Sequence, residues 1–117
     1  MGDFTKLLLS GSTNGRPIKV TKTATAGDLI HTAVAGTSSI DEIYIYANNT
    51  SAATILLTVE WGGVSSPDDL IEFNVPSETG LYCITPGMLL QNGLIVRAFA
   101  SAANLITISG FVNRITA

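Results

Sequence analysis

Apolar and polar residues alternate with a period of two along most of this chain, and no stretch keeps the longer period of a helix. Two stretches show it most clearly. Over residues 40–47, Ile43 and Ile45 point one way and Tyr44 and Tyr46 the other. Over residues 54–61, Ile55, Leu57, Val59 and Trp61 oppose Thr54, Leu56, Thr58 and Glu60. Further strands are predicted at residues 6–10, 18–23, 28–34, 70–75, 81–85, 94–100 and 105–112, with a short run at 88–91. Between them lie turn-forming residues. Asn14-Gly15 and Asn92-Gly93 tolerate positive φ, residues 48–53 are expected to close a hairpin, and Pro86-Gly87 is expected to interrupt a strand. The last third then reads as a meander, and residues 1–6 as a flexible N-terminal arm.

About nine short strands in 117 residues predict one all-β domain over residues 1–117. A two-sheet antiparallel β-sandwich of jelly-roll type is favoured, because the apolar face of each sheet needs covering. The inward positions are expected to include Ile43, Ile45, Ile55, Leu57, Val59, Ile71, Phe73, Val96, Ile106 and Ile108.

Composition agrees with strands: Thr (14), Ile (12) and Val (7) are side chains that lose rotamer freedom in helices and pack well on a pleated sheet. Surface scaling gives roughly 6,000 Å² for the folded chain against roughly 17,700 Å² unfolded, enough burial for a core without disulfide or metal staples. Only 13% of residues are charged, against about 25% in an ordinary soluble domain, and mean hydropathy is +0.40. Such a surface suits a homo-oligomer, with the outward Tyr44, Tyr46, Leu56 and Phe99 as candidate interface residues.

Charge is unevenly placed. Residues 1–22 hold Lys6, Arg16, Lys19 and Lys22 against Asp3, whereas residues 23–96 hold eight acids and no Lys or Arg. An acidic body with a basic start disfavours nucleic acid as partner, since phosphate recognition needs a clustered basic face. It makes Lys6, Arg16, Lys19 and Lys22 candidates for contact with an acidic protein surface. No run reaches the about 18 apolar residues of a membrane helix, so no membrane role is expected. The single Cys83 and the lack of a leader-like segment point to synthesis in a reducing cytoplasm.

Candidate chemistry is sparse. His31 and Cys83 are the only residues of their kinds, and one His with one Cys cannot close a structural zinc site. Cys83 reads as a small core hydrophobe and His31 as a half-exposed sheet residue. Asp41-Glu42 and the group Asp68, Asp69 and Glu72 read as solvated carboxylates without a calcium-loop spacing. Residues 11–15 lack the Lys-Ser/Thr of a phosphate loop, and the sequons at Asn48 and Asn49 mark an exposed loop. No catalytic residue, cofactor or metal is assigned, and no enzyme activity is expected.

The order of segments carries more. Residues 7–20 (LLLSGSTNGRPIKV), 23–34 (TATAGDLIHTAV), 41–50 (DEIYIYANNT), 58–63 (TVEWGG), 67–76 (PDDLIEFNVP) and 111–115 (FVNRI) resemble small virion structural proteins of tailed bacteriophages, the capsid decoration or cement proteins. The resemblance implies a β-sandwich subunit, typically a trimer, that binds the major capsid protein on the outside of the shell and stabilises the head. It implies no catalytic residues. Two alternatives share the composition: a tail, fibre or baseplate component with a receptor-binding sandwich, and a carbohydrate-binding or hydrolytic jelly roll using Trp61, Tyr44, Tyr46 and Tyr82 as sugar platforms.

Overall fold

In the computed structural model, which describes residues 3–117, nine strands form two antiparallel sheets. They are β1 (Asp3–Leu8), β2 (Ile18–Lys19), β3 (Asp28–Thr32), β4 (Ile40–Asn49), β5 (Ile55–Trp61), β6 (Leu70–Val75), β7 (Leu81–Leu90), β8 (Ile95–Ala100) and β9 (Ile106–Thr116). Sheet I runs β1-β9-β4-β7, with β2 also on β9; sheet II runs β3-β8-β5-β6. Because β1 and β2 flank successive stretches of β9, they act as one interrupted strand. Counted so, eight strands in two sheets of four have the jelly-roll connectivity that the strand pattern predicts. The fold leaves 6065 Å² exposed, the area expected for a chain of this mass.

The core lies between the sheets. Ile43, Ile45, Ile106, Ile108 and Val112 of sheet I meet Ile30, Leu57, Val59, Val96 and Ala98 of sheet II, all essentially inaccessible. Of the ten expected inward residues, eight are buried; Ile71 is only partly so, and Phe73 is 36% exposed. Their alternation is nevertheless in phase. Phe73 pairs with Leu57, and Ile71 with Val59, so they share the inner face. They open to water because β6 is the edge strand of its sheet, where the cover from sheet I thins to Tyr82, whose ring lies 5.7 Å from that of Phe73.

Four features differ from the sequence expectation. Residues 48–53 do not close a hairpin, since β4 and β5 lie in different sheets. Nor is the last third a meander: β7, β8 and β9 pair with β4, with β3 and β5, and with β1 and β4. Pro86-Gly87 does not end a strand. It sits in continuous β7, whose register against β4 shifts twice, at Gly87 and at Ile84, as bulges allow. Finally, Asp3–Leu8 pair with Phe111–Thr116, so residues 3–6 of the expected arm belong to the sheet, while Met1 and Gly2 lie outside the described residues.

Candidate interaction surfaces

The two outer faces of the sandwich differ in what covers them. On sheet I, cross-strand pairing places Phe4, Ile115 and Ile40 in one row, Leu8, Phe111, Tyr44 and Pro86 in another, and Leu81 and Leu89 along β7. Phe4 (74%), Leu81 (63%), Leu8 (56%) and Leu89 (56%) are the four most exposed large apolar side chains among the described residues. All four share this face. Tyr44 stacks on Phe111 with centroids 4.6 Å apart, and Lys6 Nζ stands 4.9 Å from the centre of the Phe111 ring. The charges placed here by register are Lys6, Lys19 and Glu42.

Sheet II covers the middle of its outer face, around Glu60 and Thr58, with its own chain. Glu60 pairs with Arg97 and alternates with inward Val59 and Trp61, so its side chain points outward, yet it is fully buried. Thr25 Oγ1 donates to one carboxylate oxygen and the Gly27 amide to the other, at 2.7 Å. These bonds hold the β2–β3 connection against the sheet so closely that a Cβ on Gly27 would meet the Ala98 carbonyl oxygen at 2.2 Å. Thr58, also outward, is buried as well.

A polar clasp joins the two sheets beside the Glu60 row, where His31 pairs with Val96 and Val96 with Trp61. Asp41 of β4 takes Arg114 Nε on Oδ1 at 2.7 Å, and on Oδ2 it takes Arg114 Nη2 at 2.9 Å and the Val34 amide at 3.1 Å. His31 Nε2 of β3 lies 2.8 Å from Oδ2. The Ser10 amide donates to His31 Nδ1 at 3.0 Å, so the ring proton sits on Nε2 and is given to Asp41. Burial pushes the Asp41 carboxyl up, but hydrogen bonds from Arg114 and His31 outweigh it and hold the group below its ordinary value. The same bond raises Arg114 further.

Ser10, His31 and Asp41 are the residue types of a nucleophilic triad, but they are not arranged as one. The bond to the imidazole comes from the Ser10 backbone, and Ser10 Oγ accepts from the Thr32 amide at 2.7 Å. Neither ring nitrogen is free to take a proton from a hydroxyl. The clasp is a structural link.

Several sequence expectations change here. His31 is buried rather than half-exposed, because Asp41 partners it; Asp41 is buried rather than solvated, because four N–H donors from three residues replace its water. Cys83 pairs with Tyr46 on the outer face of sheet I and is exposed, so it is not a core residue and does not approach His31. Asn49 does not mark an exposed loop. Its buried amide donates to the Ala53 and Val75 carbonyls and organises the crossing between sheets. Among the described residues no three His, Cys, Asp or Glu side chains come together as a metal site needs.

The expected interface residues separate into three places. Tyr44, Tyr46 and Lys6 lie on the outer face of sheet I with Lys19 at its rim; Leu56 and Phe99 lie on the outer face of sheet II and are not part of the same patch. Arg16 and Lys19 line an open cavity of about 310 Å³ with Gly11, Ser12 and Thr13, and Lys22 follows in the β2–β3 connection. The sequence reading missed Phe4, Leu8, Leu81, Leu89 and Phe111. Their signal was register rather than composition: each shares an outward row with a residue of β4 or β9 that period two already placed. No protein family, curated protein or solved structure matches this chain in comparisons of sequence and fold.

Proposed function

We propose that this chain is a bacteriophage capsid decoration subunit, a homotrimer that seats the outer face of sheet I on the major capsid protein and stabilises the head from outside. One observation carries the choice of face: the four most exposed large apolar side chains all lie on sheet I. The ten residues of β4 span about 34 Å, and four strands about 4.8 Å apart span about 19 Å. That is about 650 Å² per partner, or about 1,300 Å² in total, within the range of specific protein interfaces. A sandwich with one partly covered face and one open apolar face suits a part that binds by shape and changes nothing chemically. In this reading the protein is made in the host cytoplasm and ends on the capsid surface.

The test is co-sedimentation of the full chain with expanded shells of the major capsid protein encoded in the same genome. The wild type should pellet with shells. Leu8→Glu combined with Leu89→Glu should reduce retention at least tenfold, because two carboxylates would have to be desolvated in the contact. Leu56→Ser, on the opposite face, should pellet as the wild type does. Equal retention of all three proteins would refute the seat. A wild type that ignores shells but binds host cells or glycans would favour a tail or carbohydrate-binding part.

A further inference from the structure

The jelly roll has two long edges, and the charges are sorted between them. At the first, β1 and β2 of sheet I adjoin β3 of sheet II: the Gly11 amide bonds the Ile30 carbonyl, and the Thr32 amide bonds Ser10 Oγ. At the second, β7 adjoins β6 through Phe73 and Tyr82. Lys6, Arg16, Lys19 and Lys22 all lie at the first edge, exposed, on β1, on β2 and in the connections beside β2. Asp68, Asp69, Glu72 and Glu78 all lie at the second, on β6 and in the loops at its two ends. Among the described residues the only ion pairs are those of Asp41, so none of these eight charges is held in an ion pair, although Asp28 offsets part of Lys22 and Asp69 accepts from the Ser65 amide.

Two further acids stand at the basic edge without cancelling it. Asp28 is engaged by the Thr21 and Lys22 amides and the Thr21 hydroxyl, and Asp3 sits at the outer end of β1. Of the strands at these edges, β1, β6 and β7 have one side without a partner strand, whereas the outer side of β3 is bonded to residues 10 and 11. Unpaired edges invite strand addition unless charge steers what meets them. Here the charges repel like edges and attract unlike ones.

We infer that copies of this chain associate head to tail, the basic β1–β2–β3 edge of one against the acidic β6–β7 edge of the next. Such a contact uses two different patches, so it is heterologous and must close into a ring or run on as a filament. A ring of three is the closed form that the proposed function uses. The inference deepens that reading by naming the contact between subunits: it uses the rim of sheet I, where Lys6 and Lys19 border the outer face, and leaves the Tyr44–Phe111 centre of that face for the shell.

Sedimentation equilibrium of the full chain at about 10 µM tests it without any shell. At about 50 mM salt the wild type should form a closed oligomer, and about 500 mM salt should weaken it at least tenfold, because screening shortens the reach of the charges. Arg16→Glu with Lys19→Glu should give a monomer with an unchanged melting curve, and so should Asp68→Lys with Glu72→Lys. The chain carrying all four changes should recover the wild-type mass, since its edges are again complementary. A wild-type monomer at low salt, single-edge reversals that keep the wild-type mass, or a four-fold variant that stays monomeric would each overturn the inference. If the reversals keep their mass while Leu8→Glu with Leu89→Glu loses it, the outer face of sheet I is the contact between copies and the head-to-tail edge is wrong. Loss of shell binding with an intact low-salt oligomer would instead sink the decoration reading and leave the edge contact standing.

Discussion

The outer faces of the two sheets are built on the same alternating pattern and end differently. On sheet II an outward Glu60 is fully buried because residues 25–27 of the chain are bonded to its carboxylate; on sheet I, outward Phe4, Leu8, Leu81 and Leu89 remain in water. The reason lies in what irregular backbone requires. A connection laid on a sheet must satisfy its own N–H groups, and a carboxylate pointing out of the sheet can accept from them. An apolar face offers no acceptor, so the chain's own loops gain nothing by lying on it. It suits another folded surface, whose polar backbone is already paired. The polar outward residue thus marks the face the molecule closes itself, and the apolar outward row marks the face left for a partner.

The largest effect should come from beneath both faces. Asp41→Ala would leave His31, Arg114 and the Val34 amide without their acceptor, at a cost of about 3–5 kcal/mol in urea unfolding. It should destabilise the sandwich as a whole without favouring either face. The clasp also sets a pH dependence. The folded Asp41 carboxyl is held below its ordinary value of 3.8, so its stabilisation is complete above that pH and is lost as pH falls through the lower folded value. Asp41→Asn should flatten the acid limb of the stability curve; an unchanged limb would assign it to other carboxylates.

A smaller effect should separate the faces. Glu60→Ala removes the acceptor of the Gly27 amide and should cost about 2–3 kcal/mol. Hydrogen exchange at Gly27 should then speed up while strands β1 and β7 keep their protection. If β1 loosens equally, the two faces are coupled and sheet II does not close its outer face independently of sheet I. The smallest effect belongs to sheet I itself. Leu81→Ser and Leu89→Ser should each change monomer stability by less than about 0.5 kcal/mol, because both side chains are already mostly hydrated. A loss of several kcal/mol would mean that these residues serve the fold rather than a partner.

Much of the strand layout was legible in order because period two and turn chemistry are local properties. Asn14, Gly15, Asn92 and Gly93 all take positive φ, as Asn-Gly pairs were expected to. Yet Asn92-Gly93 joins strands of different sheets, since the same backbone geometry serves a hairpin or a crossing. Apolar alternation predicts the last strand only to Val112, whereas β9 continues to Thr116 with Arg114 pointing inward. Only the presence of Asp41 across the pair Asp41–Arg114 makes that position tolerable. The candidate surface was half legible for the same reason: Tyr44 and Tyr46 were placed outward correctly, while Leu56 and Phe99 were grouped with them although they face the opposite way.

What the sequence by itself determined is therefore the alternation along each strand, the turn positions and the need for two sheets, because these follow from side-chain period, backbone sterics and the requirement to cover apolar faces. The tertiary structure alone decided which sheet each strand joined, that Phe73 sits on an uncovered edge, that β1 closes on β9 through pairs such as Leu7 and Val112, and that the basic and acidic segments lie at opposite edges. Those are outcomes of pairing between segments far apart in the chain. Each strand's pattern states which of its faces is apolar, but not which neighbour will pair with it or what will stand opposite.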